Sequence, residues 1–144
     1  DATDEEIQYA LELACASEIV EGKEDGLSSE VLQGGKNFSG GQKQRLSIAR
    51  ALVRKPEILI FDDSSSALDF LTEEKLRENL RKIGYKPTIF IVSQRTSSIK
   101  HADKIVVLDD GRMCGIGTHN SLLNTCDVYK EIYESQFGGN KGDE

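Results

Sequence analysis

Ser39-Gly40-Gly41-Gln42 stands where an apolar-periodic stretch begins. Ser39 can accept a bond from the backbone N–H three residues on, and Gln42 can return it, the reciprocal pattern of a helix capping box. Two glycines in a first turn weaken a helix by about 1 kcal/mol each relative to alanine, so something should compensate for them. Bare N–H groups at a helix start form an anion site, and glycine lets a phosphate come close. A glycine-rich loop running into a capped helix accounts for the same four residues, and spacing alone leaves both readings open.

A second cluster follows one helix later. Ile58-Leu59-Ile60-Phe61 is an unbroken apolar run ending in Asp62 and Asp63. Such a run reads as a strand buried on both faces, as in a parallel sheet. Open α/β sheets take their ligands at the carboxyl ends of strands. Two adjacent carboxylates there repel each other unless a cation is near. Mg2+ carrying nucleotide phosphates suits them, because Mg2+ prefers one or two carboxylates plus water and phosphate. A plain polar strand end or helix cap suits them too.

The elements that must hold these residues can be read around them. Thr3 and Glu6 form a capping box that opens a helix, with Ile7, Ala10, Leu11 and Ala14 on one face. A charged loop, Glu21 to Gly26, and an irregular stretch, Leu27 to Phe38, come next. A helix from Ser39 to about Lys55 carries Leu46, Ala49, Leu52 and Val53 at helical spacing and stops at Pro56. A third helix spans about Thr72 to Ile83, with acids in its first turn, Arg81 and Lys82 in its last and Gly84 beyond. Strands are expected at Thr88–Val92, Lys104–Leu108 and Met113–Ile116, the last two joined by the turn Asp109-Asp110-Gly111-Arg112. Helices near Asn120–Leu123 and Val128–Phe137 close the pattern, with Tyr129 and Tyr133 one turn apart. Strands alternating with helices give an α/β fold with a mainly parallel sheet and flanking helices. The division expected is a helical subdomain over 1–55, an α/β core over 56–137 and a disordered tail over 138–144.

The 144 residues carry a net charge of −7, which argues against an electrostatic grip on nucleic acid. No apolar run is long enough to cross a bilayer. The acidic opening, Asp1 to Glu6, has neither the basic nor the apolar region of a signal peptide. The sequence starts without Met and directly at a helix cap, as at a boundary inside a larger protein. Cys15, Cys114 and Cys126 are odd in number and lack zinc-like spacing. They read as packing residues of a reducing compartment. His101 and His119 read as surface or helix-end residues, and the acids from Glu73 to Glu78 as a solvated helix face.

In this order and spacing the motifs resemble those of the ATP-binding cassette (ABC) family. Phe38-Ser39-Gly40-Gly41-Gln42 looks like its signature motif, and Lys43 to Pro56, with Gln44-Arg45 and Ala49-Arg50-Ala51, like its usual continuation. Ile58 to Asp62 resembles the Walker B strand, and Ser66-Ala67-Leu68-Asp69 the D-loop. Gln94, in Ile91-Val92-Ser93-Gln94-Arg95, occupies the switch position, and Gly117-Thr118-His119 with Leu122-Leu123 matches the C-terminal pattern. The segment from Glu30 to Gly35 is similar to one by which exporters contact their transmembrane coupling helices. The resemblance covers nearly the whole chain. It implies a P-loop NTPase-like sheet that lacks its Walker A half. ATP and Mg2+ are the implied cofactors, with Asp62 and Asp63 towards the metal. The implied partners are a second cassette and the transmembrane domain of an exporter, which would place the chain on the cytoplasmic face of a membrane.

Three features depart from a complete cassette. The phosphate-gripping sequence G-x-x-x-x-G-K-[ST] is missing: neither Gly22-Lys23-Glu24 nor Gly35-Lys36-Asn37 has the hydroxyl residue. The fragment alone is therefore expected neither to bind ATP tightly nor to hydrolyse it. The residue after the Walker B Asp is usually a Glu that polarises the attacking water, and here it is Asp63. One methylene fewer draws the carboxylate back by about 1.5 Å, and a misplacement of about 1 Å can lower a rate about 100-fold. The switch residue is usually His, whereas Gln94 can donate a hydrogen bond but carries no charge. Together Asp63 and Gln94 resemble the degenerate half of a heterodimeric exporter. There the chain's own acids serve a weak site, while Ser39, Gly40, Gly41 and Gln42 complete a strong site on the partner. A soluble ABC ATPase not engaged in transport, and a catalytically silent regulatory cassette, are the competing readings.

Overall fold

The structure, a computed structural model, describes residues 2–64 and 66–137. The expected tail over 138–144 lies outside the described residues. Thr3 caps helix α1 (Asp4–Leu13): its hydroxyl accepts from Glu6 N–H at 3.3 Å, and the Glu6 carboxylate accepts from Thr3 N–H at 3.2 Å. The short helix α2 (Ser17–Glu21) follows, then two 3-10 turns, Gly26–Ser28 and Gln33–Gly35. Gly34 and Gly35 sit at φ 70° and 62°, the left-handed region that glycine enters without penalty. Helix α3 (Gly40–Leu52) comes next. It ends three residues before the expected Lys55, because Lys55 itself turns left-handed at φ 47° ahead of Pro56.

Strand β1 (Ile58–Asp62) pairs in parallel with β2 (Thr88–Val92), Ile58 opposite Thr88 and Asp62 opposite Val92. Helix α4 (Phe70–Arg81) connects them. It starts two residues earlier than expected because Asp69 supplies the cap. The ordered connection strand–helix–strand is the expected α/β unit.

Neither parallel strand is buried on both faces. Leu59 is 4% exposed, whereas Ile58 and Ile60 are 59% and 68% exposed, and Phe90 and Val92 are also open. Successive strand residues point to opposite faces. Leu59, Phe61 and Ile89 reach the helical core, while their neighbours look the other way. Apolar composition predicted burial on both faces, but the helices of this unit cover only one.

That core joins Ala10, Leu11, Leu13 and Ile19 to Ile48, Ala49 and Leu52, and to Leu59, Leu68, Leu76, Leu80 and Ile83. The helices of residues 1–55 thus share one interior with β1 and α4. Polar ties reinforce it. Asn79 on α4 donates to the carbonyls of Glu12 and Leu13 at 3.2 Å each, at the end of α1. Arg45 on α3 donates to Cys15 C=O and pairs with Glu18. Burial pushes the Cys15 thiol up, in keeping with a packing residue.

The described residues form two compact units, one ending at Val92 and the other starting at Ser93. The second begins with helix α5 (Thr96–Ile99). It continues through an antiparallel pair, β3 (Ile105–Asp109) and β4 (Arg112–Gly117), to α6 (His119–Thr125) and α7 (Asp127–Phe137). These last two strands pair with each other, so the parallel pair and the antiparallel pair are separate two-stranded sheets. Ile105, Val107, Leu122, Cys126 and Tyr129 form the core of this unit. Tyr129 is buried in this core and holds α7 against it. His119 opens α6, and its Nδ1 lies 2.9 Å from Tyr129 Oη.

Candidate functional site

The capping box at Ser39 is formed as its sequence predicts. Ser39 Oγ accepts from Gln42 N–H at 3.3 Å, and Gln42 Oε1 accepts from Ser39 N–H at 2.9 Å. Phe38 precedes it, partly buried against the core, with the Lys23 ammonium 4.8 Å from its ring centroid. This is a cation–π contact that a leucine would not make.

The structure gives the glycines a reason that spacing did not reveal. A Cβ built on Gly41 would lie 3.0 Å from the Ala67 carbonyl oxygen, and one on Gly40 would lie 3.7 Å from Ala67 Cβ. Ala67 and Leu68 pass against the start of α3, and Gly41 is small so that this backbone can pass. Gln44 fastens the loop: its Nε2 donates to Ser66 Oγ at 3.1 Å and its Oε1 accepts from Ala67 N–H at 3.1 Å. Leu68 drops into the core. Asp69 then caps α4, with Oδ1 accepting from Thr72 N–H at 2.9 Å and Oδ2 from Thr72 Oγ1 at 2.7 Å. The Thr72 hydroxyl and amide hold the Asp69 carboxyl below its usual range. Gly40, Gly41 and Gln44 are therefore brought together with Ser66 and Ala67 within one chain. Gln44 was the missing piece, and its position four residues after Gly40, on the same helix face, is the signal that could have found it.

Asp62 ends β1, and Asp63 leaves the strand at φ 48° while its N–H still bonds to Val92 C=O at 3.1 Å. Left-handed backbone at a non-glycine residue costs of order 1–3 kcal/mol and gathers at functional sites. Both side chains are exposed. They border a cavity of about 340 Å³ between α3 and β1, whose polar wall includes Lys43, Gln44, Ser47 and Ser64. Among the described residues no group of three or more His, Cys, Asp or Glu could hold a metal. Two open carboxylates beside a hydroxyl fit an Mg2+ that brings its other ligands as water and phosphate, and do not form a protein-only cage.

Glu30 is exposed at the start of the segment before the signature, where its carbonyl accepts from Asn37 Nδ2 at 2.9 Å. Gln94 lies in the second unit with an exposed side chain. Its carbonyl accepts from Gln136 Nε2 at 2.6 Å, and Gln136 Oε1 accepts from both Thr96 N–H and Thr96 Oγ1 at 2.9 Å. Nothing in the sequence pointed to Gln136. In the C-terminal pattern, Thr118 and Ser121 form the cap of α6. A Cβ on Gly117 would fall 2.4 Å from Ser121 Oγ, so a side chain there would push that hydroxyl out of the cap.

Known proteins resemble this chain along nearly its whole length. The ABC transporter family matches residues 7–66. A Mycoplasma genitalium protein named as an ABC transporter ATP-binding protein is 49% identical over 132 residues, 92% of this chain and 21% of the relative. The ABC multidrug transporter MDR2 of Trichophyton interdigitale is 44% identical over 130 residues, 90% of this chain and 9% of the relative. Among solved structures, a bacterial Atm1-family ABC exporter with ATP bound superposes with a TM-score of 0.88 at 36% identity, covering 94% of this chain and 24% of that one. The chain belongs to the ABC transporter ATP-binding family. It spans about a quarter or less of the length of these relatives.

Proposed function

We propose that this chain is part of the cassette of an ABC exporter, working in a head-to-tail pair with a second, non-identical cassette. The observation that carries this reading is the joining of the glycine-opened start of α3 to the loop leaving Asp62 and Asp63, through Gly41 and Gln44. One rigid block thus presents a backbone N–H cluster suited to a phosphate and a carboxylate pair suited to Mg2+.

Each nucleotide would lie between one cassette's carboxylates and the other's signature. Mg2+ would neutralise phosphate charge at Asp62 and Asp63. Asp63, short by one methylene, and the uncharged Gln94 make this chain's own site weak. Ser39, Gly40, Gly41 and Gln42 complete the partner's site, where turnover is concentrated. Glu30 lies in the surface segment that faces the transmembrane domain, on the cytoplasmic face of the membrane. The resemblance of that segment to exporters, and the exporter among the structural neighbours, favour transport over a soluble ABC ATPase.

In the full heterodimer, Ser39→Ala is expected to lower ATPase activity at least tenfold more than Asp63→Ala, on the scale of a lost transition-state donor. Equal losses would contradict the division of labour. The 144 residues alone hold no Walker A sequence, and titration calorimetry is expected to detect no ATP binding up to millimolar concentration. A measurable binding isotherm would refute that expectation.

A further inference from the structure

We infer that Gln136, on the C-terminal helix α7, is a positioning residue that fixes the backbone of the switch segment Gln94–Thr96. The inference rests on the reading of Gln94 as the switch residue. One carboxamide makes three bonds to that segment: Nε2 donates to Gln94 C=O at 2.6 Å, and Oε1 accepts Thr96 N–H and Thr96 Oγ1, each at 2.9 Å. A carboxamide is a side-chain group that presents a donor and an acceptor side by side on one rigid plane. Glutamate offers no donor to the Gln94 carbonyl, and alanine offers neither group.

The contact spans 42 residues of sequence between Gln94 and Gln136, so the register of α7 sets the path of the switch backbone. Thr96 is only 1% exposed. Removing the acceptor from its amide and hydroxyl therefore disfavours the present backbone path, since buried donors left without a partner are costly. Gln136 itself is exposed. Its truncation opens no cavity in the core of Ile105, Val107, Leu122, Cys126 and Tyr129. The clamp acts through backbone and hydroxyl groups and leaves the Gln94 side chain free to face a ligand.

The test uses the full-length transporter with its partner, comparing Gln136→Ala and Gln136→Glu with Gln94→Ala. Hydrogen exchange at the Thr96 amide reads the clamp directly. Gln136→Ala is expected to speed it by about 2- to 10-fold, the effect of one lost bond. Gln136→Glu keeps the acceptor and is expected to change it less. Release of nucleotide held at this chain's own site is expected to speed up in Gln136→Ala by no more than in Gln94→Ala, with overall turnover little changed. Unchanged exchange in Gln136→Ala would overturn the inference. So would unchanged release in Gln136→Ala beside faster release in Gln94→Ala. If Gln94→Ala itself leaves release unchanged, the switch reading fails while Thr96 exchange still decides the clamp.

Discussion

Gly40 and Gly41 are chemically identical neighbours, and the structure separates them. At Gly41 an added methyl meets the Ala67 carbonyl at 3.0 Å, so that the loop would have to shift by a few tenths of an ångström, while at Gly40 it makes an ordinary 3.7 Å contact with Ala67 Cβ. Alanine gains roughly 1 kcal/mol of helix propensity over glycine, and overpacking costs about 1–3 kcal/mol. Gly40→Ala is therefore expected to leave stability to urea unchanged or raised, whereas Gly41→Ala lowers it by about 1 kcal/mol. Identical midpoints for the two variants would show that the loop yields freely. The capping box around these glycines was legible from residue types, because a cap is a local bond between residues three apart. The reason for the glycines was not legible, because it depends on a loop some 25 residues further on.

At the scale of elements, α4 illustrates how a polar residue sets a boundary. Phe70 and Leu71 are 67% and 74% exposed yet helical, because Asp69 caps the turn they start. The Thr72 bonds lower the folded-state pKa of Asp69 below that of the unfolded chain. A depressed carboxyl adds stability that is present above its unfolded pKa of about 3.9 and is lost as pH falls through the folded value. Asp69→Asn is thus expected to lower the melting temperature at pH 7, with the gap to the parent closing below about pH 4. A gap independent of pH would mean that the charge of Asp69 is irrelevant. The periodicity of α1, α3 and α4 was readable because each buries one stripe. The two parallel strands misled: an apolar run states that both faces avoid water, and cannot state which chain covers them. The short helices α2 and α5 left no periodic trace, being five and four residues long. The bonds of Gln136 to Gln94 and Thr96 are equally silent in sequence, since they join elements 40 or more residues apart.

At the scale of the molecule, the proposed function has the chain supply two halves of two different sites. Ser39-Gly40-Gly41-Gln42, backed by Gln44 and the backbone at Ala67, would complete the partner's site, while Asp63, short by one methylene, and the uncharged Gln94 would serve a weak one. That asymmetry predicts where nucleotide is consumed. Photoreactive ATP trapped with vanadate in the full transporter reports which cassette holds the hydrolysing nucleotide. The label is expected on the partner cassette, and Ser39→Ala in this chain is expected to abolish it. A label on this chain's own site that survives Ser39→Ala and disappears with Asp62→Ala would contradict the account.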